Sequence, residues 1–244
     1  MRNYQEAWIA YRKNFGTVLL IGLTFVFPLQ LVFFFVINYF NVLFSLIYLP
    51  QFGQMIGFFF LTTALCMAQI PFIKMAAQFS LEGEVRRSDC FQSLFENIFP
   101  VYVMSILYAL LVLVGSLLFI IPGLLFSVWF ATIPYVAVLE NRRWWKGFKR
   151  AFSIGRKHFF KILGVIFLMW LVELVVQGVI LYCALQFTNS FLVVSIAMML
   201  GNMLFLPYFT FVFTNYALDW VELDEEYFNE LDFVGPYNTT TMRP

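Results

Sequence analysis

Six long apolar runs divide this chain, and only one of them contains a charged side chain. They cover Thr17 to Ile37, Phe52 to Ile73, Val101 to Ile121, Leu124 to Leu139, Ile162 to Phe187 and Phe191 to Leu218, and the exception is Glu173. A helix rises about 1.5 Å per residue and the hydrocarbon core of a bilayer is about 30 Å thick, so close to 20 apolar residues make one crossing. The runs therefore predict six spans. The fourth is short and is joined to the third by Pro122 and Gly123, a pair that reads either as a tight transmembrane hairpin or as a shallower re-entrant one. Both return the chain to the same side. Composition agrees, because 62% of the 244 residues are hydrophobic and 12% are charged. A soluble domain has about half and a quarter, and one of this size has too little interior to hide the excess. The expected fold is an all-α integral membrane six-helix bundle over residues 1–221, followed by an acidic tail over 222–244.

The placement of lysine and arginine sets the orientation, since cytoplasmic loops hold the positive excess. Basic residues precede the first span (Arg2, Arg12, Lys13), separate the second from the third (Lys74, Arg86, Arg87) and crowd between the fourth and fifth (Arg142, Arg143, Lys146, Lys149, Arg150, Arg156, Lys157, Lys161). The three opposite connections, Asn38 to Gln51, Pro122 with Gly123, and Thr188 to Ser190, carry no charge. Both termini are expected in the cytoplasm. Trp8, Trp144, Trp145 and Trp220 fall at the same boundary, where amphipathic rings sit at headgroup depth. No small-residue cleavage pattern follows the first run, so no removed signal peptide is expected.

Self-similarity divides the chain again. The even-numbered spans contain Ile70-Pro71-Phe72, Ile133-Pro134-Tyr135 and Leu206-Pro207-Tyr208, each in the half nearer the basic side. The odd-numbered spans are each preceded by an amphipathic aromatic lead. The first lead carries Tyr4, Trp8, Tyr11 and Phe15. The second carries Phe91, Leu94, Phe95 and Ile98, after Asp89 and Gln92 spaced like a capping box. The third carries Trp144, Trp145, Phe148, Phe152 and Phe159 opposite the basic residues. The expected unit is one interfacial helix followed by one transmembrane hairpin, present three times, with a proline kink in each returning helix.

The ordered set Leu81-Glu82-Gly83-Glu84, Ile121-Pro122-Gly123, Pro134-Tyr135-Val136-Ala137-Val138-Leu139-Glu140 and Gly147-Phe148-Lys149-Arg150-Ala151-Phe152-Ser153, leading to Lys157-His158-Phe159, resembles a group of bacterial polytopic proteins. That group includes the glycerophosphoryl diester phosphodiesterase membrane domain and the YciC-like proteins. The resemblance covers residues 80–165, with the rest alike only in hydropathy. It implies a multi-pass protein of the bacterial inner membrane. It implies no activity, because the phosphodiesterase chemistry of such proteins belongs to a separate soluble domain, and it supplies no catalytic residue.

Reactive constellations are also missing from the sequence itself. His158 is the one histidine, so no two-histidine metal site exists, and there is no GxSxG, Walker loop or GxGxxG. His158 reads as an interfacial residue. Glu82 and Glu84 read as a solvated turn. Cys66, Cys90 and Cys183 are too few and scattered for a disulfide framework or zinc site and read as apolar fillers. Neither a metal nor a cofactor is expected, and the chain does not read as an enzyme.

Two features carry the functional expectations. Glu173 lies near the middle of the fifth span, with Gln177 one turn further along the same face and Asn202 at similar depth in the sixth. These three, joined by Gln69 or Gln30, read either as a proton- or substrate-linked polar site or as a protonated carboxyl serving as packing glue between two helices, the second being preferred. On the cytoplasmic side Arg142, Arg143, Lys146, Lys149, Arg150, Arg156 and Lys157 form a basic aromatic helix suited to anionic lipid, each cation contributing about 1 kcal/mol near the surface. Its tryptophans and phenylalanines have headgroup-boundary spacing, so nucleic acid is not the expected partner. The tail reverses the sign with Glu222, Asp224, Glu225, Glu226 and Glu230. It reads as solvated, as lying on the basic helices, or as a dock for a partner. The net charge of +1 leaves such local clusters as the source of any electrostatic attraction. The favoured expectation is a non-catalytic membrane scaffold or accessory subunit with a membrane-protein or cytoplasmic partner. The alternative is a carrier or conduit for a lipid or small hydrophobic molecule.

Overall fold

The structure is a computed structural model that describes residues 2–188 and 190–233, with backbone alone at residue 2 and at 221–233. It is all-helical among the described residues. The helices are α1 (Arg2–Lys13), α2 (Phe15–Ile21), α3 (Phe27–Leu46), α4 (Pro50–Glu82), α5 (Arg87–Leu118), α6 (Ile120–Phe130), α7 (Ile133–Leu139), α8 (Trp144–Lys157), α9 (Phe159–Phe187) and α10 (Phe191–Phe233), and a π-helical turn, Gly22–Val26, joins α2 to α3. Among the described residues six stretches are long and apolar enough to cross a membrane: Phe15–Leu46, Pro50–Glu82, Arg87–Leu118, Ile120–Leu139, Phe159–Phe187 and Phe191–Trp220.

Several boundaries differ from the expectation, each for a local reason. The uncharged segment Asn38 to Gln51 is mostly helix. Here α3 continues to Leu46 and α4 resumes at Pro50, which suits the first helical turn because it needs no N–H donor there. The turn between them passes through Tyr48 at φ 59°. The second lead is not a separate helix, because α5 runs unbroken from Arg87 past Pro100. Its capping box does not form, as Arg86 is the N-cap of the helix and Asp89 instead accepts hydrogen bonds from Gln78 Nε2 at 2.7 Å and Ser88 Oγ at 3.0 Å. Pro71 and Pro207 lie inside uninterrupted helices. At Pro134 the helix breaks, at Ala131–Thr132. Gly155 of α8 packs its bare backbone against the Trp129 carbonyl there, and Thr132 Oγ1 donates to Ala151 O at 3.2 Å. The acidic tail begins as backbone continuation of α10 to Phe233, and its side chains lie outside the described residues. Gly83, at φ 76°, closes α4 in the left-handed conformation that glycine adopts without strain, with its N–H returned to Phe79 O. Glu82 and Glu84 beside it are exposed, as a turn requires.

The core lies toward the side on which α1 and α8 sit. There α4 packs on both α7 and α10, and α7 and α10 also touch, with Phe72, Tyr135 and Phe213 fully buried between them. One burial pattern recurs around this core. Asn14, Asn97 and His158 each sit where a lead passes into a span. The residues seven and four before each, and four and seven after, are buried in every case: Ala7, Ala10, Val18 and Ile21; Cys90, Ser93, Val101 and Met104; Ala151, Ile154, Ile162 and Val165. That 3.5-residue spacing is one helix face turned inward. Asn14 and His158 break their helices with nearly the same backbone, φ −108°, ψ 19° and φ −109°, ψ 23°. Asn14 and Asn97 each donate Nδ2 to the carbonyl four residues back, Ala10 at 3.1 Å and Ser93 at 2.9 Å.

The far half is organised differently. No residue of α3 is buried, and neither α9 beyond Met169 nor α10 before Met203 has one. The hairpins there are zipped within themselves by glycine, which lets two backbones approach. Gly53 and Gly57 of α4 meet Asn41 and Ile37 of α3, Gly115 of α5 meets Gly123 of α6, and Gly201 of α10 meets Ile180 of α9.

Candidate functional site

Within the spans, Glu173, Gln177 and Ile180 lie at i, i+4 and i+7 and so share one stripe of α9. Ile180 covers Gly201, and a Cβ on that glycine would come within 3.9 Å of Gln177 Oε1. The stripe thus faces α10 along the hairpin seam, and Asn202 is the next residue on the other side of it. All three polar residues are half-buried. The structure brings them to one seam but forms no hydrogen bond among them, and Gln177 Oε1 is buried without a partner among the described residues. The same holds for Gln30 Oε1. Gln69, half-buried on α4, is not joined to the set. No cluster of metal-ligating side chains occurs among the described residues.

The seven basic residues from Arg142 to Lys157 separate into two groups. Arg150 is turned inward, its side chain 8% exposed, and donates Nε to both oxygens of Glu140 at 2.9 and 3.1 Å. Glu140 is itself buried and also pairs with Arg142 Nε at 3.0 Å. Arg150 is thus a correction to the lipid-facing set: on the buried face of α8, beside Gly147, Ala151 and Ile154, its charge needs a carboxylate rather than solvent. Arg143 reaches Glu96 of α5 at 3.3 Å. Lys146, Lys149, Arg156 and Lys157 are exposed, and Lys149 Nζ stands 5.7 Å from the Trp145 ring centre. Trp8, Trp144 and Trp145 are exposed as boundary residues should be. Trp220, at 2% exposure, instead lies in the core, stacked on His158 at 5.7 Å and against Phe213.

Polar contacts link the core-side end of each returning helix to a lead helix. Gln78 of α4 bonds Asp89 of α5, and its Oε1 accepts from the Arg86 amide at 3.3 Å. Glu140, at the end of α7, binds Arg150 of α8. On α10, Asp219 accepts from Asn3 Nδ2 of α1 at 2.9 Å and Asn215 Nδ2 donates to Asn3 O at 3.1 Å, while Asn215 Oδ1 accepts from Ser80 Oγ of α4 at 3.1 Å. Tyr4 packs edge-on against Tyr216 beside this tie. Burial, with the neighbouring Tyr216 phenol second, pushes the Tyr4 phenol up to about 12, so it is an uncharged packing group at neutral pH. Each tie joins helices distant in sequence or separated by a turn, so hydropathy alone does not mark its members. The usable signal is a polar residue recurring at the end of each apolar run.

No family model, characterised protein or solved structure matches the chain. Function is therefore read from the chain's own geometry.

Proposed function

We propose that this chain is a triplicated membrane scaffold or accessory subunit, non-catalytic, with both termini in the cytoplasm of a bacterial cell whose inner membrane it spans. Each unit is a lead, an outgoing span and a returning span that carries the Pro-aromatic pair. The single observation that carries the scaffold reading is the closed set of ties on the lead side: first unit to second through Gln78 and Asp89, second to third through Glu140 and Arg150, third to first through Asn215, Asp219 and Asn3. Polar ties in register hold a surface rigid, and a rigid surface with exposed tryptophan and lysine suits lipid headgroups and a partner's membrane-proximal face. Lys146, Lys149, Arg156 and Lys157, flanked by Arg142 and Arg143, meet anionic lipid, and the acidic tail docks the partner. Ending the chain after Leu223 is expected to uncouple a co-purifying partner while leaving the membrane domain folded. Equal partner recovery from the shortened chain would remove the tail's role.

A second reading, a carrier or conduit for a lipid or small hydrophobic molecule, is favoured by the unpartnered Gln177 oxygen on the stripe that also carries Glu173. In that reading Glu173→Gln abolishes transport in proteoliposomes. Unchanged flux would make the carboxyl structural.

A further inference from the structure

Of the three junctions where a lead meets its span, only the second carries a carboxylate just before the turn: Glu96 precedes Asn97, whereas Lys13 precedes Asn14 and Lys157 precedes His158. In the second unit the residue before Asn97 is Glu96, and Arg143, from the start of the third unit's lead helix, reaches back to it at 3.3 Å. In the first unit the residue before Asn14 is Lys13, and Arg87, from the start of the second unit's lead, reaches back to the same junction. It finds only the Thr17 hydroxyl, with Nε donating to Oγ1 at 3.2 Å. Lys13 lies one helical turn before Thr17, its Nζ 5.4 Å from the ring centre of Phe79 on α4. Arg12 and Arg86 are exposed next to these two, and no ion pair engages Lys13 or Arg87 among the described residues. A Cβ on Gly16 would meet nothing within 4 Å, so the junction has open space beside it. The second junction is neutralised by its own Glu96; the first presents a cation from each of two units, Lys13 and Arg87, with no carboxylate paired to either among the described residues.

We propose that the first junction binds the phosphate of an anionic phospholipid headgroup, held by Lys13 and Arg87 with Thr17 orienting the guanidinium. The inference rests on the three-unit reading, which makes Lys13 the counterpart of Glu96. A lipid phosphate fits because the junction lies where a lead helix turns into a span, at headgroup depth. Arginine with lysine is a common phosphate-binding pair, the first through its planar fork and the second as a point charge.

The test uses the full chain in nanodiscs of phosphatidylglycerol mixed with phosphatidylcholine, with retained lipid counted by native mass spectrometry. Arg87→Gln and Lys13→Gln are each expected to lower the retained ratio of anionic to zwitterionic lipid about fivefold, the factor that one cation near the headgroups contributes. Lys161→Gln, at an exposed cation of α9 outside both basic sets, should leave that tightly held lipid in place. Lys13→Glu rebuilds the second junction in the first, so it is expected to expel the anionic lipid while keeping the thermal midpoint in pure phosphatidylcholine at or above that of the parent. Unchanged lipid retention in Arg87→Gln would overturn the site. Loss of lipid together with a lowered midpoint in Lys13→Glu would keep the site and overturn the equivalence of Lys13 with Glu96, so the two failures are distinct. If inorganic phosphate in detergent raised the parent's midpoint as much as phosphatidylglycerol does, the assignment to a lipid would fall.

Discussion

The two halves of this bundle are built on different principles. On the lead side three returning helices share one core, with Ile70, Phe72, Ile133, Tyr135, Val212 and Phe213 buried. Carboxylates, carboxamides and one buried guanidinium close the ring around it. On the far side the hairpins are paired at glycine seams, and the outer faces of α3, α9 and the start of α10 are open. Lipid explains the difference. Acyl chains solvate leucine and phenylalanine as well as protein does, so apolar faces in the hydrocarbon gain little by meeting each other, and association falls to close backbone packing and hydrogen bonds. Where water reaches the helix ends, burial again removes apolar surface from water and polar ties select one register.

The contrast gives a ranked set of substitutions. Glu140→Ala takes from the buried Arg150 the carboxylate that its Nε donates to and is expected to cost about 3 kcal/mol, read as a lowered midpoint in detergent. The double variant with Arg150→Met should recover most of that. A single-variant loss below about 1 kcal/mol would mean that the lead-side ring does not depend on this pair. Gly123→Val, whose Cβ would press on the Ser116 backbone at 2.9 Å, is expected to cost about 1–3 kcal/mol through local overpacking. Cysteine cross-linking between α5 and α6 should weaken while contacts between α4 and α10 persist. Smallest of all, Val179→Ala on the open face of α9 should change stability by no more than about 0.5 kcal/mol, because lipid fills the space. A loss as large as that of a core residue would show that this face is covered by protein.

Much of the fold was legible in hydropathy. Six apolar runs, five of them uncharged, admit few alternatives to spanning helices, since each unpaired backbone group in hydrocarbon costs several kcal/mol. Boundaries were less legible, because apolar pattern cannot say where a helix stops when lipid and interface both favour it. Hence α3 overruns Ile37 as far as Leu46, and α5 absorbs its lead. The candidate site was only half legible. Glu173 and Gln177 stand out as polar letters in apolar text, and their common stripe follows from the 3.6-residue period. That the stripe faces Gly201 depends on how two helices pack.

The basic helix shows the same division. Its amphipathic period was readable, and so were its aromatic anchors Trp144 and Trp145. Which of its cations are structural was not, for Arg150 and Lys149 are neighbours in sequence with opposite surroundings: one is held by Glu140 in the interior and the other lies over Trp145 at the surface. Trp220 likewise reads as an interfacial anchor by position and is a core residue by contact.

The sequence by itself determined that the chain is helical, that it is long and apolar enough to cross a bilayer six times, and where its charges fall along the runs. These are properties of single segments in a given solvent. Only the tertiary structure decided which polar groups answer one another. Gln78 with Asp89, Glu140 with Arg150 and Asn3 with Asp219 are pairings between helices, and so is the approach of Arg87 to a junction that lacks a carboxylate. A hydrogen bond acts over about 3 Å, and no one-dimensional period carries distances of that kind between separate helices.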